Sequence, residues 1–297
     1  MQLIRLTDSV YHLRGGSNAG LIVQDNQALL VDTGLDRDAA KKILRAVESL
    51  HLRLAGIVIT HAHADHFGGA SFLRNRVGAP VYAPALEAAI VANPFLEPLY
   101  LFSGASPPAA LRHKFTLAEA CLVDGLIEAG EAVIGGVPIR AIPAPGHSPN
   151  QMMIVAGGVC FVADACFAPE VLQKHGIPFY VDVVEAAATL AMLAGLDGSH
   201  GYFVPGHGEA VTSIGPWAAE NASRLTEIRQ TVEQSLGDGS ALSDIVAATA
   251  DHLKIAIDSP VVYYLTQTTV LACLSALEAS GAAAQMVENR LYWRFAR

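Results

Sequence analysis

The pattern of apolar and polar positions divides the first two thirds of the chain into short strands and helices. Short apolar runs predict four strands at the start of the chain, at residues 3–6, 10–13, 21–24 and 28–31. An apolar stripe at helical spacing predicts a helix over residues 37–50. A second helix over residues 69–76 precedes a strand at 81–82. Strands that alternate with helices in this way are typical of the α/β class.

Beyond residue 215 the pattern changes to helices followed by a hairpin. Three helices are predicted there, over residues 216–236, 243–253 and 260–279. The last apolar stretch, residues 285–295, is expected to turn at Glu288 and Asn289. We therefore predict two domains, a catalytic domain over residues 1–215 and a helical region over residues 216–297.

Composition narrows the class of protein. Hydrophobic residues make up 52% of the 297 positions, which is enough to bury a large core. A net charge of −9 argues against a protein that binds nucleic-acid backbones. No uninterrupted apolar run approaches the about 20 residues of a membrane span, and no signal peptide is visible at the start. The four cysteines lack metal-ligand spacing and are interpreted as core thiols. These features predict a soluble cytoplasmic protein without a membrane partner.

The segment of residues 60–66 (THAHADH) holds three imidazoles and a carboxylate within six residues, directly after an apolar run at 56–59. Imidazole and carboxylate groups together suit zinc, iron or manganese. Residues two apart in an extended chain point the same way, so His61 and His63 can bind one ion. Asp65 and His66 begin a helix and can face a neighbouring position. The cluster therefore predicts a metal site at the end of a buried strand.

Three further ligand candidates follow predicted strands in the same manner. His147 follows residues 137–142, Asp164 follows 159–163, and His207 follows 202–204. A single residue of this kind is more often structural, but the repeated context favours one shared site. Asp32, after the strand at 28–31, is either a partner that orients a metal-binding histidine or a cap of the turn.

These motifs in their order, HAHADH, PGH, VAD and PGHG, resemble the metallo-β-lactamase superfamily. The complete set is similar to the glyoxalase II and lactonase type of dinuclear hydrolase. The resemblance implies an αββα sandwich with a C-terminal helical, winged-helix-like appendage. It also implies two divalent metal ions, with zinc first and iron or manganese as alternatives. By this resemblance the first metal is held by His61, His63 and His147, the second by Asp65, His66 and His207, and Asp164 bridges the two.

The predicted function is a hydrolase in which a metal-bridging hydroxide attacks a small ester, thioester or lactone. Asp65 is the expected catalytic residue because it can take a proton from that water. The resemblance implies that the connection between Asp164 and His207 lies near the cleft mouth, so His175 and Tyr180 in it are the predicted substrate contacts. No match to the basic glutathione-binding residues of glyoxalase II is found, which weakens that exact substrate. The alternatives are an iron-dependent oxidoreductase resembling persulfide dioxygenases and a nuclease of the same superfamily.

Two segments have open interpretations. Residues 93–114 contain four prolines and no clean period, so they form either a lid over the substrate or a plain surface insertion. The third C-terminal helix is almost uncharged and rich in leucine. It is expected to serve packing or formation of a homodimer, and nucleic-acid binding by this region is disfavoured.

Overall fold

A seven-stranded sheet forms the first half of the molecule. The structure is a computed structural model and describes residues 1–295. The strands of this sheet lie in chain order, as β1 (Gln2–Arg5), β2 (Val10–Arg14), β3 (Ala19–Gln24), β4 (Gln27–Val31), β5 (Arg53–Val58), β6 (Val81–Ala83) and β7 (Gly125–Leu126). The first four strands pair antiparallel, whereas β4, β5 and β6 run parallel. Parallel pairing brings the C-terminal ends of β4 and β5 to the same edge.

A five-stranded sheet forms the second half. Its strands are β8 (Gly130–Ile134), β9 (Val137–Pro143), β10 (Met152–Ala156), β11 (Val159–Ala163) and β12 (Tyr202–Pro205), and they lie in the order β12-β11-β10-β9-β8. Strands β11 and β12 pair parallel, and the other pairs are antiparallel. Their parallel direction brings the chain segments that follow β11 and β12 to one edge, as in the first sheet.

The two sheets pack face to face. Their inner faces share one apolar cluster, to which β4 contributes Leu29 and Val31 and β10 contributes Ile154. A second cluster lies between the first sheet and the helices on its outer face. These helices are α1 (Arg37–Ser49), α3 (Ala70–Val77) and α4 (Ala85–Ala92), with the single turn α2 (Ala64–Phe67) at the sheet edge. This layering confirms the predicted αββα sandwich.

The outer face of the second sheet is covered by helices from the rest of the chain. They are α6 (Pro169–His175), α7 (Val183–Gly195), α8 (Gly215–Gln234), α9 (Leu242–His252) and α10 (Pro260–Leu277). The third apolar cluster joins α7, α8 and α10 to the second sheet. The hairpin of β13 (Ala282–Val287) and β14 (Arg290–Phe295) follows, and it turns at Glu288 and Asn289 as predicted. The predicted domain boundary stays a prediction, because this cluster runs across it.

The polar side chains at three helix starts explain where those helices begin. Asp36 accepts hydrogen bonds from two backbone N–H groups in the first turn of α1, and Asp182 does so for α7. Ser259 caps α10 in the same way, with Pro260 at the first helical position. All three side chains satisfy N–H groups that a helix start otherwise leaves unpaired.

Helix α10 differs from the expectation that no segment reaches membrane length. Residues Pro260–Ser280 are long and apolar enough to cross a bilayer by length and composition alone, and a third of their most apolar window is buried. The helix contacts α7, α8 and α9. On its surface Val270, Leu274 and Leu277 are buried, whereas Leu271 is exposed. Formation of a homodimer through its exposed part stays a prediction.

The segment of residues 93–114 is more regular than the sequence suggests. It contains a short helix, α5 (Leu96–Leu101), and a 3₁₀ turn at Ala109–Leu111. Both contact α10, which fixes the segment against the C-terminal region. Pro98 lies in the first turn of α5, where a missing backbone N–H leaves no helical hydrogen bond unmade. The absence of a clean apolar period therefore did not mean the absence of a helix.

Candidate metal centre

Seven histidine and aspartate side chains converge at the edge where the two sheets meet. Four come from the turn between β5 and α3. The other three follow β9, β11 and β12, whose C-terminal ends reach the same edge. The structure therefore brings together every residue that the sequence proposes as a metal ligand: His61, His63, Asp65, His66, His147, Asp164 and His207.

The first group consists of His61, His63 and His147. The Nδ1 atom of His63 lies 2.8 Å from the Nε2 atom of His147. The ring of His61 is centred 4.7 Å from that of His63 and 5.1 Å from that of His147. One nitrogen from each ring lies within 4.8 Å of the other two, so all three can face one ion. The geometry fits the predicted first-metal set, and the bound ion itself stays a prediction.

The second group consists of Asp65, His66 and His207. The Oδ2 atom of Asp65 lies 3.2 Å from the Nε2 atom of His207 and 3.9 Å from the Nε2 atom of His66. The side chain of Asp65 is 24% exposed and that of His207 is 26% exposed, whereas His66 is fully buried. This group therefore forms the side of the cluster that solvent and a substrate can reach.

Asp164 lies between the two groups. Its Oδ2 atom is 3.5 Å from the Nε2 atom of His147 and 3.6 Å from that of His207. Its Oδ1 atom is 3.5 Å from the Nε2 atom of His66. One carboxylate thus contacts ligand candidates from both groups, which is the arrangement that the predicted bridging role requires.

Two glycines leave the space that this convergence needs. A Cβ atom at Gly206 would lie 1.8 Å from the Oδ1 atom of Asp164 and 2.9 Å from a ring carbon of His66. Gly146, directly before His147, has a φ of +127° and would place a Cβ atom 2.4 Å from the backbone of Ala186. Any side chain at either position would displace a ligand or its supporting backbone.

Asp32 and Thr60 fix the orientation of two histidines by contacting the ring nitrogens that face away from the cluster. Asp32, at the end of β4, accepts hydrogen bonds from the backbone N–H and the hydroxyl of Thr60, both at 2.8 Å. The Nδ1 atom of His66 lies 2.9 Å from the Oδ2 atom of Asp32, and the Nδ1 atom of His61 lies 3.1 Å from the hydroxyl of Thr60. Because Asp32 and Thr60 each engage Nδ1, the Nε2 atom of both rings faces the cluster. The prediction that Asp32 orients a histidine is confirmed.

Backbone carbonyl groups orient the two remaining outer histidines. The Nδ1 atom of His147 lies 2.9 Å from the carbonyl oxygen of Phe179, and that of His207 lies 2.7 Å from the carbonyl oxygen of Gly16. A carbonyl oxygen only accepts hydrogen bonds, so Nδ1 carries the proton in both rings. The lone pair of Nε2 is left free for an ion.

The histidines of the two groups differ in the direction of their pKa shifts. Burial lowers the pKa of His61, His63 and His147, and the pKa of His63 falls to about 3. Burial opposes protonation of His66 and His207 as well, but the nearby carboxylates of Asp65 and Asp164 raise the pKa of both, that of His207 to about 10. Without an ion, positive charge therefore collects beside the two aspartates.

Three buried atoms test whether the cluster fits metal ions. Within residues 1–295, the Nε2 atoms of His61 and His66 and the Oδ1 atom of Asp164 are buried without a hydrogen-bond partner. Buried polar atoms are normally paired, and an unpaired one calls for an explanation such as an ion. All three atoms face the interior of the cluster and carry lone pairs. The donor set of imidazole and carboxylate suits zinc, iron or manganese.

The two predicted substrate contacts lie in different environments. His175, the last residue of α6, is exposed; partial burial and then the charge of Lys174 lower its pKa, with smaller effects of His207 and Asp164. Tyr180 differs from the expectation of a residue at the cleft mouth. Its ring is 2% exposed and packs in the apolar core near Phe167, because its backbone is bound to Thr269 of α10. A substrate contact by either side chain stays a prediction.

Several residues that shape the centre are not apparent from sequence patterns. The hydroxyl of Ser17 donates to the Oδ2 atom of Asp65 at 2.9 Å. Glu87 is buried and accepts three hydrogen bonds, among them that of the Ala62 backbone N–H in the ligand loop. The ring of Phe179 contacts His63 and His147 edge to face. Only the loop sequence GGSN, just after β2, offers a signal for Ser17, and it is weak.

Comparison with known families agrees with the sandwich fold and with the cluster of ligand candidates. The family model of the metallo-beta-lactamase superfamily matches residues 12–214. The chain belongs to this superfamily. The match includes all seven ligand candidates and ends at the residue before α8 begins.

Two curated relatives and one solved structure extend the comparison. The hydroxyacylglutathione hydrolase of Dechloromonas aromatica is 28% identical over 179 residues, which are 60% of this chain and 53% of that protein. The atrochrysone carboxyl ACP thioesterase of Aspergillus fumigatus is 24% identical over 203 residues, 67% of this chain and 53% of that protein. The chain thus spans about half the length of these relatives.

The crystal structure of a metallo-beta-lactamase family protein from Thermus thermophilus is 20% identical to this chain. It has a TM-score of 0.76 and covers 99% of this chain and 100% of its own. At this identity the likeness shows the shared fold alone. It extends over the C-terminal helices and hairpin as well as the sandwich.

Proposed function

We propose that the chain is a metal-dependent hydrolase that holds two divalent ions, zinc first, and cleaves thioesters of small molecules. The convergence of seven histidine and aspartate side chains around three unpaired buried atoms carries this proposal. The two relatives named as a hydroxyacylglutathione hydrolase and an ACP thioesterase favour a thioester over an oxygen ester or a lactone. Cytoplasmic location and a homodimer remain predictions.

The ligand candidates form two sets, one for each ion of such a centre. His61, His63 and His147 would hold one ion, and the group around Asp65 the other, with Asp164 between them. Ions bound there would supply Lewis-acid polarisation of the substrate carbonyl and an acidified water as the nucleophile.

The protein's own groups then handle the proton. The Oδ2 atom of Asp65 receives a hydrogen bond from Ser17 and lies 3.2 Å from the Nε2 atom of His207. This places Asp65 on the exposed side of the cluster, where it can accept a proton from the nucleophile and pass it to the leaving thiolate. The ring of Phe179 contacts the rings of His63 and His147 edge to face and adds an apolar side chain beside the first group.

A substrate panel with metal analysis tests the proposal. Protein loaded with zinc, iron or manganese is assayed on matched thioester, oxygen ester, lactone and phosphodiester substrates, and its metal content is measured by elemental analysis. We expect two zinc ions per chain and thioester cleavage that is lost with a chelator and restored by zinc. One iron per chain with oxygen consumption on a persulfide would favour the oxidoreductase alternative, and phosphodiester cleavage alone would favour the nuclease.

A further inference from the structure

The loop between β2 and β3 holds two of the three members of the second ligand group. This GGSN loop consists of residues 15–18, and Ser17 in it is 8% exposed. The hydroxyl of Ser17 donates to the Oδ2 atom of Asp65 at 2.9 Å. The carbonyl oxygen of Gly16 lies 2.7 Å from the Nδ1 atom of His207. Consecutive residues of one loop therefore contact both of the partly exposed ligand candidates.

Asn18 joins the same loop to the backbone around His207. It is 3% exposed, and its side-chain NH₂ group donates to the carbonyl oxygens of Pro205 and Gly208, both at 2.9 Å. Its backbone N–H donates to the carbonyl oxygen of Gly206 at 2.7 Å. These three hydrogen bonds run from a loop of the first sheet to the end of β12 in the second sheet. The backbone that carries His207 is therefore fixed by the loop as well as by its own strand.

The first ligand group has separate supports. The Nδ1 atom of His61 contacts the hydroxyl of Thr60, and that of His147 contacts the carbonyl oxygen of Phe179. In the part of the chain that the structure describes, no hydrogen bond joins the GGSN loop to any histidine of this group. Although Asp164 lies between the groups, a change in the loop should therefore act on the second group alone.

The hydrogen bond from Ser17 matters because the carboxylate of Asp65 is partly open to solvent. Its Oδ2 atom faces the Nε2 atoms of His207 and His66 at 3.2 and 3.9 Å, and its side chain is 24% exposed. Within residues 1–295, Ser17 is the one residue outside the cluster that donates a hydrogen bond to this carboxylate. Without that donor the carboxylate can turn toward water and away from the two histidines. Carboxylates that bind metals are normally held by such hydrogen bonds.

We propose that Ser17 is a positioning residue that sets the affinity of the second metal position and leaves the first unchanged. The proposal rests on the two-ion centre of the proposed function. The hydroxyl of Ser17 holds the carboxylate of Asp65 toward the two histidines of its group, so that three donors face one point. Asn18 supports this arrangement through the backbone of His207. Without the hydroxyl, the protein should fill its first position at zinc concentrations that leave the second empty.

Zinc affinities of Ser17→Ala test this inference. Competition with chelators of graded strength gives the two dissociation constants of the full-length protein, and elemental analysis gives its metal content. We expect one constant to rise by about 10- to 100-fold and the other to stay unchanged. Ser213→Ala is the matched control, because this exposed serine also donates to an aspartate, Asp197, at 3.0 Å. The control should leave both constants unchanged.

Two ligand variants show which position is affected. His147→Ala removes a donor of the first position, and His207→Ala removes a donor of the second. Added to His147→Ala, the Ser17→Ala change should still weaken the remaining ion by about 10- to 100-fold. Added to His207→Ala, it should cause no further loss, because the position on which it acts is already impaired.

The inference would be overturned by equal weakening of both ions, by weakening of the ion that His207→Ala retains, or by two unchanged constants. Wild-type protein that binds a single ion would instead contradict the two-ion proposed function. The same variants then decide on Ser17. A single ion that both His207→Ala and Ser17→Ala weaken supports the inference, and one that Ser17→Ala leaves unchanged overturns it. Wild-type protein that binds no zinc would overturn both.

Discussion

Replacing Asp32 by asparagine should weaken metal binding without touching a ligand. The carboxylate is 4% exposed and accepts three hydrogen bonds, two from Thr60 and one from His66. An amide in its place has one accepting oxygen, so its NH₂ group must face some of these donors. If the oxygen stays on the Thr60 N–H, the NH₂ group faces the Nδ1 atom of His66. The imidazole must then move its proton to Nε2, the atom that faces the metal centre.

The size of the effect follows from that change of tautomer. Loss of a partner that orients a metal-binding histidine typically costs about 10- to 100-fold in metal affinity, or about 1.4–2.7 kcal/mol. Donors left unpaired in the buried site should also lower the free energy of unfolding by about 1–3 kcal/mol. We expect both losses in Asp32→Asn, together with a fall in kcat/KM.

Chelator competition and denaturant unfolding measure the two losses separately. Asp36→Ala is the control, because it removes the cap of α1 and should cost about 1 kcal/mol of stability with no change in metal affinity. Asp32→Asn protein that binds both ions as tightly as wild type would refute the argument, since Asp32 would then not set the tautomer of His66.

The other predictions concern the predicted bridging carboxylate, the predicted proton acceptor and one surface ion pair. Gly206→Ala should abolish binding of at least one ion, because the added Cβ atom would lie 1.8 Å from the Oδ1 atom of Asp164; elemental analysis measures this. Asp65→Asn should keep the fold and lower kcat by about 10²- to 10⁴-fold, because an amide cannot accept the proton. A hydrogen bond from Arg74 lowers the pKa of Asp124 below 3.8, so its stabilisation is complete above the unfolded-state value. The gap in unfolding free energy between wild type and Asp124→Asn should therefore shrink as the pH falls through the lowered folded-state pKa.

A control variant or a specific result would contradict each of these three predictions. Gly195→Ala meets no atom within 4 Å and serves as the glycine control, which should retain full metal content. Near wild-type kcat in fully loaded Asp65→Asn protein would show that Asp65 accepts no proton. A stability gap for Asp124→Asn that is the same at neutral and acidic pH would show that the ion pair contributes nothing.

The sequence predicts the fold and the ligand candidates well because both depend on local pattern. Four of the seven candidates lie within six residues, and the other three share one context, an apolar strand followed by a polar residue. The parallel strands then bring these positions to one edge. Asp32 was ambiguous from sequence, because the same residue type serves turns and histidine orientation; its contact with His66 settles the choice.

What surrounds the ligands was less predictable. Tyr180 was placed at the cleft mouth, but its burial depends on packing against α10, almost ninety residues further along the chain. Glu97, which is 5% exposed, gave no signal, because a glutamate in a segment without a clean apolar period is normally exposed. Its burial accompanies the packing of α5 against α10. Contacts between elements distant in sequence leave no local pattern to detect.

The ligand candidates come from both sheets, so bound metal ions would link the two sheets mechanically. Residues 61–66 follow strand β5 of the first sheet, whereas His147, Asp164 and His207 follow strands of the second, so neither sheet alone positions a complete set. Ions bound between the two sheets would link them. In metal-free protein the two sheets should therefore separate more often. The rate at which bound zinc exchanges with an added isotope would then report how often the sandwich opens.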